Sequence, residues 1–241
     1  MTRLLLKTTE IQEVIVERRT FLHASALSAG ALAAGAPASA SSPLRVQVLM
    51  FDGVEEQDWA APAEVLGMAG AMSNGALTTT LVTTGRPATV TCNFGARVEV
   101  TQGWSPHEAE VLVVPGGGRY TDPTGPGVRR LMADQQFLRR LAAADVLRVG
   151  ICTGVMVLAA AGVARGRNAT THSRAKADLA ARGATVINAR VVDDGDLVTG
   201  GGVTSGLDVA LWLVERFLGA RTAQQVETIM EYERRGTVWR A

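Results

Sequence analysis

Cysteine is scarce in this chain: Cys92 and Cys152 are the only two in 241 residues. Two thiols cannot build the dense disulfide framework that holds small secreted folds together. Histidine is nearly as rare. After residue 40 there are only His107 and His172, far apart in sequence and without paired cysteines, so the ligand spacing of a zinc site is missing and no metal is expected. Excess charge is lacking too. The formal net charge is +1, from 24 basic and 23 acidic side chains, with no basic stripe to attract nucleic acid or an anionic membrane. No apolar run reaches the length of a stop-transfer helix, which excludes stable membrane anchoring. The triplet Gly200-Gly201-Gly202 has the spacing of neither a phosphate-binding loop nor a dinucleotide fingerprint, so no nucleotide cofactor is expected.

What is present begins with a leader. Glu17-Arg18-Arg19-Thr20-Phe21-Leu22 sets adjacent arginines before Phe-Leu, a weakly apolar run spans Ala24 to Ala36, and Ala38-Ser39-Ala40 offers a small-residue cleavage site. The three parts stand in the order of a twin-arginine export signal. Residues 1–40 are therefore expected to direct export to the periplasm or beyond, leaving 41–241 as one domain. Removing the four basic and three acidic residues of the leader brings the formal charge to zero.

The remaining chain is long enough to bury one sizeable core. Leu44 to Phe51 predicts a buried strand, Trp59 to Ala71 a helix, and Ala76 to Thr84 a second strand. Thr89 to Val100 predicts a hairpin on the sheet's flank, and Glu110 to Pro115 another buried strand. Asp134 to Ala144 is an amphipathic helix. Further on, the pattern predicts a helix over Ala175 to Arg182, a strand over Thr185 to Ile187 and a strand pair from Val191 to Val198 around Asp194-Gly195. Helices over Val209 to Leu218 and Ala223 to Glu233 precede a charged tail. Strands alternating with helices imply a largely parallel sheet covered on both faces. Ligands in such sheets bind beyond the carboxyl ends of the strands.

The chemistry concentrates at three of those ends: Asp52 to Asp58, Pro115 to Gly118, and Cys152-Thr153. Val146 to Val163 reads as a short apolar strand that ends at Ile151, a cysteine, and a small-residue helix. This sets Cys152 on a tight strand-to-helix turn, where helix amides can stabilise a thiolate. Asp58 is either the cap of the first helix or a carboxyl that shares a proton with Cys152 and so gains affinity for it. Glu55 and Glu56 are expected to face solvent. The amides of Gly116, Gly117, Gly118 and Thr153 can bind an anionic intermediate. His172, in Ala169-Thr170-Thr171-His172-Ser173, orients Thr153, sits near the thiol as part of the substrate site, or is hydrogen-bonded for structural reasons. His107 is expected to begin a surface helix.

Together these residues resemble the ThiJ/PfpI superfamily. The resemblance rests on Gln57-Asp58 with Pro62-Ala63-Glu64-Val65-Leu66, on Val114-Pro115-Gly116-Gly117, and on Ile151-Cys152-Thr153-Gly154. Arg167 to His172, Val191 to Gly195 and Thr199 to Asp208 continue it, so it spans roughly Leu44 to Tyr232. It implies a flavodoxin-like three-layer α/β/α sandwich with a mostly parallel sheet, of the class I glutamine amidotransferase type. It also implies Cys152 as nucleophile, Asp58 as acid/base partner, Thr153 as an assisting hydroxyl, and a homodimer. Peptidase-like members carry histidine directly after the cysteine. Thr153 stands there instead, which disfavours peptidase activity.

Within the superfamily the pattern looks most like isonitrile hydratases and the similar domain of certain AraC-type regulators. Ser173, where an aromatic usually follows Thr-Thr-His, departs from the hydratase pattern. The resemblance implies hydration of an isocyanide to an N-substituted formamide, with a small-molecule substrate and no cofactor. Two alternatives stand beside it: an exported sensing or binding domain without turnover, and a glyoxalase or deglycase-type carbonyl-repair enzyme.

Overall fold

Continuous apolar runs dictate the centre of the molecule, because a strand buried on both faces has no room for alternation. The computed structural model describes residues 42–122 and 124–241; the export leader expected at 1–40 lies outside them. The first strand, β1 (Leu44–Met50), leads into α1 (Glu56–Met72) and β2 (Leu77–Thr83). A hairpin of β3 (Ala88–Thr91) and β4 (Arg97–Val100) precedes β5 (Val111–Val114). Next come α2 (Val128–Ala133), α3 (Gln135–Ala143) and β6 (Leu147–Ile151), which passes almost directly into α4 (Gly154–Ala160). Two short strands, β7 (Asn168–Ala169) and β8 (Thr185–Val186), flank α5 (Lys176–Ala181). The chain then forms β9 (Val191–Asp193), β10 (Leu197–Gly200), α6 (Ser205–Leu218), α7 (Ala220–Ile229) and β11 (Trp239–Arg240).

Seven strands make one sheet in the order β11-β9-β10-β6-β5-β1-β2. The five from β10 to β2 are parallel, and β9 turns back antiparallel beside β10 around Asp194-Gly195. Each face of the sheet is covered. On one side Val65, Leu66 and Ala69 of α1, Val209 and Leu213 of α6 and Val226 of α7 close over the sheet. On the other, Leu131, Phe137, Leu141 and Met156 from α2, α3 and α4 pack with Val90 and Val100 of the hairpin. This is the flavodoxin-like three-layer arrangement. Each fully buried aliphatic side chain contributes roughly 1.5–3 kcal/mol.

Two close contacts position the site. Pro62 lies inside α1, where it lacks an N–H for the preceding turn, and its Cδ would come within 3.2 Å of a Cβ at Gly206. Glycine there lets α1 and α6 approach. At Gly154, a Cβ would stand 2.0 Å from the Val114 carbonyl oxygen, so α4 starts pressed against β5.

The sequence pattern places most elements within a few residues, with three departures. The helix α2 is too short for periodicity to reveal. The predicted last helix ends at Ile229, not Glu233, because Glu231 takes a left-handed conformation, φ 47°. The expected charged tail ends instead in β11, which pairs in parallel with β9.

Candidate active site

Three neighbouring strands, β1, β5 and β6, deliver their carboxyl ends to one edge of the sheet, bringing Asp58, Gly116 and Cys152 together. Cys152 has φ 56°, a left-handed backbone that is uncommon for any residue with a Cβ and persists only where its surroundings fix it. Here they do. Its N–H is shared between the Gly200 and Gly201 carbonyls at 3.1 and 2.9 Å, and its carbonyl accepts the Thr171 hydroxyl at 2.7 Å.

Asp58 is fully buried, in the first turn of α1. It does not cap that helix: the Glu55 side chain does, accepting the Asp58 N–H at 2.9 Å. Glu56 also departs from the expectation of a solvent-facing residue. Its carboxylate accepts the Phe94 and Ala96 amides at 2.8 and 3.4 Å, tying the hairpin tip to α1. Both glutamates answer the same need, free amide protons at a helix start and a tight turn. Freed from capping, the Asp58 carboxyl points inward. Oδ2 accepts the Gly116 N–H at 3.0 Å. Oδ1 makes no hydrogen bond of ordinary geometry, yet the Cys152 thiol is near enough to bond to this carboxyl.

Burial, and then the charge of Glu55, push the Asp58 carboxyl up to about 8. Burial, and then the Asp58 charge, push the Cys152 thiol up to about 12, against backbone N–H bonds from Val203 and Thr153 that favour the thiolate. This corrects the expectation that the α4 amides hold a thiolate. Desolvation outweighs them and favours the protonated form of both groups.

The remaining expected site residues divide. Thr153 is buried beside the pair, and its Oγ1 accepts the Gly117 N–H at 3.2 Å. Gly117 thus orients a hydroxyl, and its amide is not free to bind an anion. Gly118, half-buried with φ 73°, lies next along the same turn. Gly116, whose amide is also a candidate donor to an anionic intermediate, gives that amide to Asp58 instead, and a Cβ there would fall 2.7 Å from both Asp58 Oδ2 and Thr153 Oγ1. His172 reaches a loop, not the thiol. Its Nδ1 accepts the Arg174 amide at 3.2 Å, and its ring lies where a Cβ on Gly202 would be, 2.4 Å from Cδ2. Burial and then Arg174 hold its basicity below the ordinary value. His107 falls in a single surface turn, Pro106–Glu108.

Val203 is missed by sequence reasoning. Its amide approaches the sulfur from a left-handed conformation, φ 33°. The only signal pointing to it is the glycine triplet just before. A wide surface cleft lies elsewhere, at the amino edge of the sheet beside Leu44, Glu110 and Leu147. It shares no residue with the Cys152 pair, whose chemistry, not its volume, marks the site. Among the described residues no cluster of His, Cys, Asp and Glu is placed to hold a metal, and no helix is long and apolar enough to cross a membrane.

Similarity to known proteins covers the same region. The profile of the DJ-1/PfpI family matches residues 44–216. An isonitrile hydratase of Pseudomonas putida is 35% identical over 193 residues, 78% of either chain. A Parkinson disease protein 7 homolog of Danio rerio is 30% identical over 192 residues, 76% of this chain and 94% of that one. Among solved structures, a ThiJ/PfpI family protein from Pseudomonas syringae aligns with a TM-score of 0.71 at 25% identity, covering 89% of this chain and 85% of that one.

Proposed function

Because the chain belongs to the DJ-1/PfpI family, we propose that it is a cysteine-dependent hydro-lyase that converts an isocyanide and water into an N-substituted formamide. The observation that carries this reading is the buried Cys152–Asp58 pair, a nucleophile beside a carboxyl group without a histidine partner. The 35% identity to an isonitrile hydratase supports it.

Addition of a thiol to an isocyanide places sulfur and a proton on the same carbon. The pair is suited to that. Sulfur attacks the terminal carbon of R–N≡C, and Asp58 donates its proton there as negative charge develops, while its other oxygen takes the proton released by the thiol. The product is a thioimidate, R–N=CH–S–Cys152. Water then adds across the C=N bond. The adduct collapses with cleavage of the C–S bond, releasing R–NH–CHO and returning a proton to sulfur. The Thr153 hydroxyl, held by the Gly117 amide, keeps its own proton to orient the incoming water. The Thr153 and Val203 amides stabilise sulfur as it leaves.

The test is turnover of a panel of isocyanides, with 2-oxoaldehydes in parallel, by wild type, Cys152→Ala and Asp58→Asn. Formamide production that vanishes in Cys152→Ala and falls about 10²–10⁴-fold in Asp58→Asn, the range of a positioned acid/base, is the expected result. Wild-type rates from either variant reject the mechanism, and lactate from methylglyoxal without formamide favours carbonyl repair. The leader motif supports export by the twin-arginine route, and family membership supports a homodimer. Cell fractionation of an Arg18→Lys, Arg19→Lys variant and light scattering test these two.

A further inference from the structure

The turn that carries Val203 is fixed against Cys152, whose N–H is shared between the Gly200 and Gly201 carbonyls at 3.1 and 2.9 Å. Val203 sits in a turn, residues 200–204, that joins β10 to α6, and a β-branched residue at φ 33° is strained unless its neighbours fix it. Two anchors of that turn come from one residue. The Arg190 carbonyl accepts the Gly201 N–H at 3.0 Å, and the Arg190 guanidinium donates to Thr204 Oγ1 at 2.8 Å. Residues 201 and 204 are thereby clamped on either side of Gly202-Val203.

The clamp is itself fixed. Arg190 Nε donates to the Asp208 carboxylate, which is nearly fully buried in the first turn of α6. Asp208 also receives the Tyr232 hydroxyl at 3.0 Å and the Arg235 N–H at 2.8 Å. Buried carboxylates persist when paired and fully hydrogen-bonded, and three donations, one of them the ion pair, leave this one with little freedom. The arginine beside it therefore has one position. A planar fork can bond the carboxylate and the threonine hydroxyl at once, which a lysine ammonium on its single flexible stem cannot do in the same geometry.

We infer that Arg190, fixed by Asp208, is a positioning residue that holds the turn around Gly201–Thr204 against Cys152 and so tunes the reactivity of the thiol. The inference rests on Cys152 as the reactive group of the proposed function and does not depend on which substrate is used.

The experiment measures alkylation of Cys152 by iodoacetamide across neutral to alkaline pH, read from the mass of its peptide so that Cys92 does not contribute. Arg190→Gln and Thr204→Val are expected to slow it about tenfold, equivalent to raising the apparent pKa by about one unit, the size of one charge-assisted hydrogen bond. Arg190→Lys should recover only part of the rate. Arg216→Gln is the control. It removes a half-buried arginine paired with the buried Asp193 and should lower the melting temperature without changing alkylation. Wild-type alkylation in both Arg190→Gln and Thr204→Val overturns the inference. If Arg190→Gln fails to fold, Thr204→Val, which removes one hydroxyl, decides alone. Absence of isocyanide turnover would defeat the proposed function yet leave this result standing, so the two failures are distinguishable.

Discussion

Asp58 shows how burial, not residue type, assigns a role. A carboxyl at a helix start ordinarily caps it, but Glu55 does so here and Asp58 turns into the core. There its affinity for a proton rises from the ordinary value of 3.8 to about 8. The folded chain then binds that proton more tightly than the unfolded chain does, so the stability it contributes is fully present below 3.8. That stability is lost as pH rises toward about 8. Asp58→Asn removes the titration. The melting temperatures of wild type and variant should converge in acid, and the variant should melt higher above pH 8. A constant difference across this range would show that Asp58 is not buried with its proton. The Cys152 thiol, raised from 9.0 to about 12, acts in the same sense at still higher pH.

At the scale of elements, the site depends on how closely backbones approach. Glycine at 116 lets the end of β5 lie against Asp58 and Thr153, and glycine at 154 lets α4 begin against the Val114 carbonyl. Gly116→Ala should displace Asp58 or Thr153 and abolish turnover. Gly154→Ala should destabilise the fold by about 1–3 kcal/mol, the usual cost of overpacking, seen as a lower midpoint of urea denaturation. Gly162→Ala, where a Cβ meets open space but φ is 85°, separates the two effects, since it carries backbone strain without a clash. It should leave turnover intact.

At the scale of the molecule, both ends of the described chain build the sheet, β1 one strand in from one edge and β11 at the opposite edge. Deleting residues 237–241 removes β11, the Ala241 amide bond to the Asp193 carbonyl and the Arg240 guanidinium over Trp212. The expected loss is about 1–2 kcal/mol by urea denaturation, from a few hydrogen bonds and one exposed cation–π contact. Cys152 alkylation should be unchanged, because Tyr232 and Arg235 remain to hold Asp208. A truncated chain with altered thiol reactivity would mean that the edge strand also supports the 200–204 turn.

Local pattern alone determined the α/β alternation, the strand-to-helix elbow at Cys152 and the three strand ends that carry chemistry. Each of these is set by apolar runs and turn residues within about ten positions of one another. The resemblance to a known superfamily added the pairing of Asp58 with Cys152. Only the tertiary structure decided which carboxylate caps α1, that the Gly117 amide serves Thr153, and that His172 rests on Gly202. It alone placed the Val203 amide at the sulfur, through an arginine and an aspartate 18 residues apart in sequence. These are competitions for hydrogen-bond partners and for dry space, and they are settled between segments that meet only once the sheet has formed. The protonated state of the Cys152–Asp58 pair belongs with them. The turn supplied the helix amides, but burial between β1, β5 and β6 outweighed their pull on the proton.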